Sequence, residues 1–228
     1  MKGRIVPHHK ETEALALLSE GVAALGLELA PATLEQFTVY LDELRRWNAK
    51  TNLTGLKTVR DIVIKHFLDS LAVLPFLDGA ASLMDLGSGA GFPGLVLKLA
   101  RPQITLTLVE GRQKKTTFLE YLVARFKLTG VEVVQAHLTP SQAQEWEPKV
   151  DAVVSRAAVI LPRLLELAAP LLASGGRLLA LKGVHLAGIE LETARSAGPL
   201  LGLGPLEVHK YDLPISGEPR LLIIARKP

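Results

Sequence analysis

With 228 residues, 48% of them hydrophobic, the chain has material for one α/β domain of ordinary size and a small appendage. It contains no Cys, which excludes a disulfide framework, a thiolate metal site and a cysteine nucleophile, and no metal is assigned. No apolar run approaches the roughly 20 residues of a membrane span and Met1–Lys10 offers no export segment, so a soluble cytoplasmic protein is expected.

The formal charge of +3 is modest but unevenly spread. Seven acidic residues and no Lys or Arg lie between Glu11 and Leu44, whereas Arg45–Lys65 holds six basic residues against the single acid Asp61. A polyanion-binding edge follows, with Arg45, Arg46 and Lys50 as candidates to meet the polyanion. Asn and Met are scarce, a composition sometimes seen where thermolabile residues are selected against.

The first third reads as helices. Leu34, Phe37, Leu41 and Leu44 fall at helical spacing, and Tyr40 and Trp47 widen the same apolar face; Trp47 reads better as a core anchor than as a base-stacking platform. Thr33 is expected as the N-cap, with Gln36 three positions on. A second helix is expected from about Arg60 to Leu74, stopped by Pro75, and Pro75–Ala81 is the expected boundary. This divides the chain into a helical cap, 1–76, and a main domain, 77–228.

Beyond the boundary the pattern alternates. Strands are expected at Ser82–Leu86, Ile104–Val109, Val131–Gln135, Val150–Val154 and Arg177–Leu181, with helices at Gly94–Leu99, Lys114–Phe126 and Leu161–Leu172. Repeated βα units imply a parallel sheet with right-handed crossovers. Two last strands, Leu206–Tyr211 and Leu221–Ala225, are joined by a loop too short and polar for a helix. The expected fold is therefore α/β: a doubly wound, mostly parallel seven-stranded sheet ending in an antiparallel hairpin.

The run Asp85-Leu86-Gly87-Ser88-Gly89-Ala90-Gly91-Phe92-Pro93-Gly94 lies where the first strand ends, the edge at which open parallel sheets bind ligands. Read from Gly89, its spacing fits a dinucleotide fingerprint, with Glu110 placed as a ribose ligand, so spacing does not decide the cargo. Charge does. A pyrophosphate would meet the Asp85 carboxylate, whereas S-adenosylmethionine brings an ammonium and a sulfonium, which Asp85 favours directly or by orienting loop amides. Glu110, closing the second strand, is expected to accept hydrogen bonds from both ribose hydroxyls, and Ser88 and Gly89 to contact the donor from the loop.

Several separated motifs carry a family resemblance over nearly the whole chain. They are Trp47-Asn48-Ala49-Lys50-Thr51-Asn52-Leu53-Thr54, His66-Phe67-Leu68-Asp69-Ser70-Leu71, the Asp85–Gly94 loop, Ser155-Arg156-Ala157 and Leu181-Lys182-Gly183. In these the chain resembles the GidB/RsmG-type methyltransferases that modify a guanine at N7 in bacterial 16S ribosomal RNA. The resemblance implies the class I S-adenosylmethionine-dependent fold, a 16S rRNA or small-subunit substrate, and a donor pocket lined by Gly87, Phe92, Leu138, Thr139 and Arg156. Thr139 stands where an acid is expected in relatives, and Gly111 where Ser is frequent, so backbone contacts alone carry over there. A monomer is expected.

Guanine N7 carries an in-plane lone pair, so methylation needs no proton removal; alignment of nucleophile, methyl and sulfur is the main demand, worth about 7–11 kcal/mol at best. No residue is assigned as a chemical catalyst, and Asn48, His66 and Arg156 are candidates near the target base. Arg156 can bind the donor carboxylate or an RNA phosphate, or form a structural ion pair. Asn48 continues the apolar stripe and needs a polar partner; Asp69 can fix the His66 tautomer; both sets can equally dock the cap on the sheet. Arg112, Lys114 and Lys115 at a helix start, and Lys182 after the fifth strand, are candidates for phosphate or plain surface charge. A nicotinamide-dependent dehydrogenase, a non-catalytic RNA-binding module, methylation of another RNA base, and methylation of a protein or small molecule are the competing readings.

Overall fold

The computed structural model describes residues 9–156, 158–186 and 188–228; the segment before His9 and Ala157 of the Ser155-Arg156-Ala157 motif lie outside the described residues. Helix α1 (His9–Ala24) leads into α2 (Pro31–Thr51). Pro31 needs no amide hydrogen in a first turn, and Asn52 ends α2 by taking a left-handed φ of 51°. Phe37, Tyr40, Leu41 and Leu44 are buried, as their spacing required. Thr33 does not cap α2: it lies inside the first turn, after Ala30 as N-cap, and its amide bonds back to the Ala30 carbonyl at 2.9 Å.

The second expected helix is a chain of short pieces. Helix α3 (Val59–Ile62), capped by the Thr58 hydroxyl on the Asp61 amide, passes into a π-wound stretch, Val63–Leu68, and then α4 (Asp69–Leu71). Pro75 does not stop it; the residue sits in a following 3₁₀ turn, Leu74–Leu77, where its fixed φ is accommodated.

The alternating region then forms β1 (Ser82–Leu86), α5 (Gly94–Ala100), β2 (Thr105–Glu110), α6 (Gln113–Arg125), β3 (Val131–Gln135), α7 (Pro140–Glu145), β4 (Val150–Arg156), α8 (Leu161–Ala168), β5 (Leu172–Gly183), α9 (Gly188–Leu200), β6 (Glu207–Asp212) and β7 (Pro219–Arg226). The seven strands run in the order β3-β2-β1-β4-β5-β7-β6. They are parallel through β5, and β7 is antiparallel to both neighbours. This is the expected doubly wound sheet with its terminal hairpin.

Parallel strands covered on both faces read as near-continuous apolar runs, and successive side chains divide between two cores. Leu83, Leu106, Leu108 and Val154 face the layer made by α1 to α6, together with Tyr40, Phe67 and Phe118. Met84, Val109, Val153 and Leu178 face the layer that holds Leu161, Leu165 and Ala194 of α8 and α9. Strand order reverses between β1 and β4, and there the ends of neighbouring strands part into a crevice.

Candidate functional site

A cleft of about 470 Å³ opens at the ends of β1, β2 and β4, lined among others by Gly87–Ala90, Phe92, Glu110, Leu138 and Arg156. The loop leaving β1 owes its path to Gly87, Gly89 and Gly91, all at positive φ. It is tied down from behind. Asp85 is fully buried, and its Oδ2 accepts the Gly94 amide at 2.8 Å. A Cβ at position 94 would lie 2.7 Å from that oxygen, so only glycine admits the bond.

Asp85 does not line the cleft, and its Oδ1 is buried with no hydrogen-bond partner among the described residues. Desolvation pushes its pKa up to about 7. Of the two roles expected for it, direct contact and orientation of loop amides, the geometry is that of the second. The carboxylate that faces the cleft is Glu110, whose Oε2 accepts the Gly89 amide and Oε1 the Arg112 amide, both at 2.9 Å. Glu110 therefore supplies the negative wall that the sequence reading gave to Asp85.

Across the cleft, Arg156 ends β4. Its Nη1 donates to the Lys65 carbonyl at 2.6 Å and approaches Asp69 Oδ2 at 3.4 Å, and its Nη2 donates to His66 Nδ1 at 2.8 Å. A guanidinium has no acceptor, so Nδ1 is unprotonated and the imidazole proton sits on Nε2, which bonds Thr54 Oγ1 at 2.8 Å. Burial, reinforced by the Arg156 cation, holds the His66 pKa down to about 3. The imidazole stacks on Phe92 at 4.5 Å between centroids, and Phe92 stacks on Tyr40 of α2 at 5.1 Å. The Tyr40 hydroxyl in turn bonds the Ala90 carbonyl, so the cap helix grips the glycine loop directly.

Arg156, not Asp69, sets the His66 tautomer. In the π-wound stretch, i and i+3 side chains no longer stack, and Asp69 instead accepts the Tyr211 hydroxyl at 2.7 Å. A second cavity of about 800 Å³ adjoins the first, and His66 and Arg156 line both.

Residues 33–214 match the family described as GidB, rRNA small subunit methyltransferase G. The chain belongs to this family. Two curated relatives carry the name ribosomal RNA small subunit methyltransferase G. One, from Geobacter sp. (strain M21), is 37% identical over 92% of this chain and 96% of the relative. The other, from Deinococcus radiodurans, is 44% identical over 92% and 84%. In fold, the chain is similar to an O-methyltransferase from Bacillus cereus in complex with SAH, with a TM-score of 0.60 at 16% identity, covering 83% of this chain and 91% of that one. It is likewise similar to TrmN from Thermus thermophilus, with a TM-score of 0.57 at 16% identity over 81% and 53%. The dehydrogenase reading falls with this membership.

The other singled-out residues divide. Gly87, Ser88, Gly89, Phe92 and Leu138 line the first cleft. Thr139 does not: its hydroxyl accepts the Gln142 amide and the Gln142 side chain accepts its own amide, so it is the capping box of α7. Asn48 lines neither of the two joined cavities; its Nδ2 and Oδ1 clasp the Thr54 carbonyl and amide at 3.0 and 2.9 Å. Its partner Thr54 holds His66, so Asn48 sits one residue removed from the junction.

Arg112 and Lys115 line the first cleft, whereas Lys114 is exposed outside it. Lys182 lines the second cavity but is engaged by the Val159 carbonyl at 2.8 Å and Glu190 at 3.2 Å. Arg45 pairs with Asp42, Arg46 with Glu43 and the Tyr121 hydroxyl, and Lys50 is exposed. Trp47 packs on Phe118 and Tyr121, a core anchor as read. Sequence reasoning missed His137 and Leu53 at the first cleft and Glu218 and Arg220 at the second. The position of His137, two residues past β3, and that of Leu53, inside the Trp47–Thr54 motif, were usable signals; Glu218 and Arg220, just before and at the start of β7, belong to no motif.

Proposed function

We propose that the chain transfers a methyl group from S-adenosylmethionine to N7 of a guanine in 16S rRNA of the small ribosomal subunit. The observation that carries the reading is the junction of the two cavities. The imidazole standing there has both nitrogens committed, Nδ1 to Arg156 and Nε2 to Thr54, so the junction offers alignment and no free base. An acceptor that needs no proton removed, such as guanine N7, suits that arrangement.

The donor's chemistry is an electrophilic methyl carried on a sulfonium. The first cleft fits such a group: Glu110 presents a carboxylate to its wall, which opposes a pyrophosphate, and Arg112, Lys115 and Arg156 supply cations for a carboxylate. Each Glu110 oxygen holds one amide and keeps a further lone pair for a ribose hydroxyl. Gly87, Ser88, Gly89, Phe92 and Leu138 complete the donor contacts, and Thr139 acts only through its backbone. Asp85 holds the loop from beneath.

The helices before residue 77 form the RNA-facing cap and residues 77–228 the donor-binding domain, with Arg45, Arg46, Lys50, Lys114 and Lys182 as the outer phosphate contacts. The protein works as a cytoplasmic monomer; no described helix is long and apolar enough to cross a membrane. The test is radiolabelled methyl transfer to small-subunit particles and to deproteinised RNA, with nucleoside mapping. Label as 7-methylguanosine in 16S rRNA is expected, and label in another nucleoside or none in either substrate overturns the reading.

A further inference from the structure

The second cavity holds two carboxylates with different freedom. Asp69 has a side chain 4% exposed and is used up by the Tyr211 hydroxyl, Arg156 and, at 3.9 Å, Arg220. Glu218 has a side chain 38% exposed and lines the cavity. Its Oε2 lies 2.9 Å from Lys65 Nζ and its Oε1 2.8 Å from Arg220 Nη1, so each oxygen carries one cation and keeps another lone pair. The backbone beneath it is fixed by the Leu213 amide on the Glu218 carbonyl and the Gly217 amide on the Leu213 carbonyl, both at 2.9 Å. Lys65 is also the residue whose carbonyl holds Arg156. The two ends of the cavity, Glu218 and the junction, are thus tied to one residue.

A guanine has opposite demands at its two edges. N7 and O6 accept on the Hoogsteen side, and N1–H and the 2-amino group donate on the Watson–Crick side. With N7 turned to the junction, the Watson–Crick edge points away from the donor cleft and into the second cavity. Resting on the guanine-N7 reading above, we propose that Glu218 is a specificity residue that accepts the N1–H and 2-amino hydrogens of the target guanine. The flanking cations, Lys65 first, hold its carboxyl below the ordinary range, so the group is an acceptor only. Adenine would set its N1 lone pair against that carboxylate and is rejected. Lys65 and Arg220 fix the direction of the carboxylate, and Asp69 positions Arg220 and Arg156.

The experiment compares kcat/KM on substrates that differ only at the target base, guanosine or inosine, for the wild-type chain and Glu218→Gln. Inosine keeps N7, O6 and N1–H and lacks the 2-amino group. The wild type is expected to favour guanosine by roughly 10- to 100-fold, the worth of one good base-edge contact. Glu218→Gln is expected to lose a similar factor on guanosine and to favour it over inosine by less than about threefold, because no ionised acceptor is left to miss the amino group. The ratio is taken within one variant, so a reduced folded fraction does not move it. A wild type indifferent to inosine, or a variant that keeps the wild-type ratio, overturns the assignment. If the wild-type product is 7-methylguanosine while that ratio fails, only the Glu218 role is lost; a different product nucleoside removes the parent reading as well.

Discussion

His66 spends both ring nitrogens on architecture, and that has a measurable consequence in acid. Its pKa is 6.5 as a free imidazole and about 3 in the folded chain. Between those values the unfolded chain binds a proton that the folded chain refuses, so stability falls as pH drops through that window. Asp85 runs the other way. Its pKa rises from 3.8 to about 7, the folded chain binds the extra proton, and stability falls as pH rises across nearly the same range. Comparing wild type with His66→Asn isolates the first contribution: the melting temperature of the wild type should drop more steeply between pH 6.5 and pH 4.5. Equal slopes would refute a neutral buried imidazole. At this scale the sequence was legible where the reading depended on residue type and strand end, as for Gly87, Glu110 and Arg156. It misled where the direction of a side chain decided: Asn48 turns to Thr54 and Asp69 to Tyr211, partners that helical spacing does not reveal, and Thr139 turns to Gln142, a capping box that local spacing did offer.

Among elements, the strands were the most legible. β1 and β3 coincide with the expected Ser82–Leu86 and Val131–Gln135, whereas β5 is much longer than its expected stretch, extending back to Leu172 across a register irregularity beside Val150. Helices α7 and α9 left little trace. The first is six residues long, and the second buries only Ala194 and Gly198 and contains Pro199, so neither shows an apolar stripe. The π-wound stretch was invisible to a periodicity of 3.6, yet α1 packs on it. Gly21 makes that approach possible, since a Cβ there would overlap the buried Leu68 side chain. Gly21→Ala should therefore destabilise by about 1–3 kcal/mol in denaturant unfolding, because overpacking outweighs the gain of about 1 kcal/mol that Ala brings to a helix interior. A stabilised variant would show that the two helices have room to part.

For the molecule as a whole, the uneven charge of the sequence becomes a divided surface. Of the six bases in Arg45–Lys65, the structure pairs Arg45, Arg46 and Lys65 with carboxylates, and among the described residues Lys50, Lys57 and Arg60 make no ion pair. Unpaired cations can meet a phosphate backbone without first giving up a carboxylate. Replacing Lys50, Lys57 and Arg60 together by Ala should lower the slope of log affinity against log salt by roughly 2 in RNA-binding measurements at several ionic strengths. An unaltered slope would place the polyanion elsewhere. The overall architecture was open to sequence reasoning because alternation of βα units constrains topology strongly. The joining of two cavities at His66 and Arg156 was not, since the second cavity depends on β7 lying beside β5 and bringing Glu218 and Arg220 to Lys65 and Asp69.

That antiparallel insertion also sets an order of assembly. Every residue lining the first cleft falls between Leu53 and Leu167, whereas the second cavity draws on Leu181–His185 and Glu218–Arg220. During translation, Leu167, the last described lining residue of the first cleft, is added before Leu181–His185 and before Glu218–Arg220. The growing chain thus carries all the described lining of the first cleft before it carries the residues that complete the second cavity.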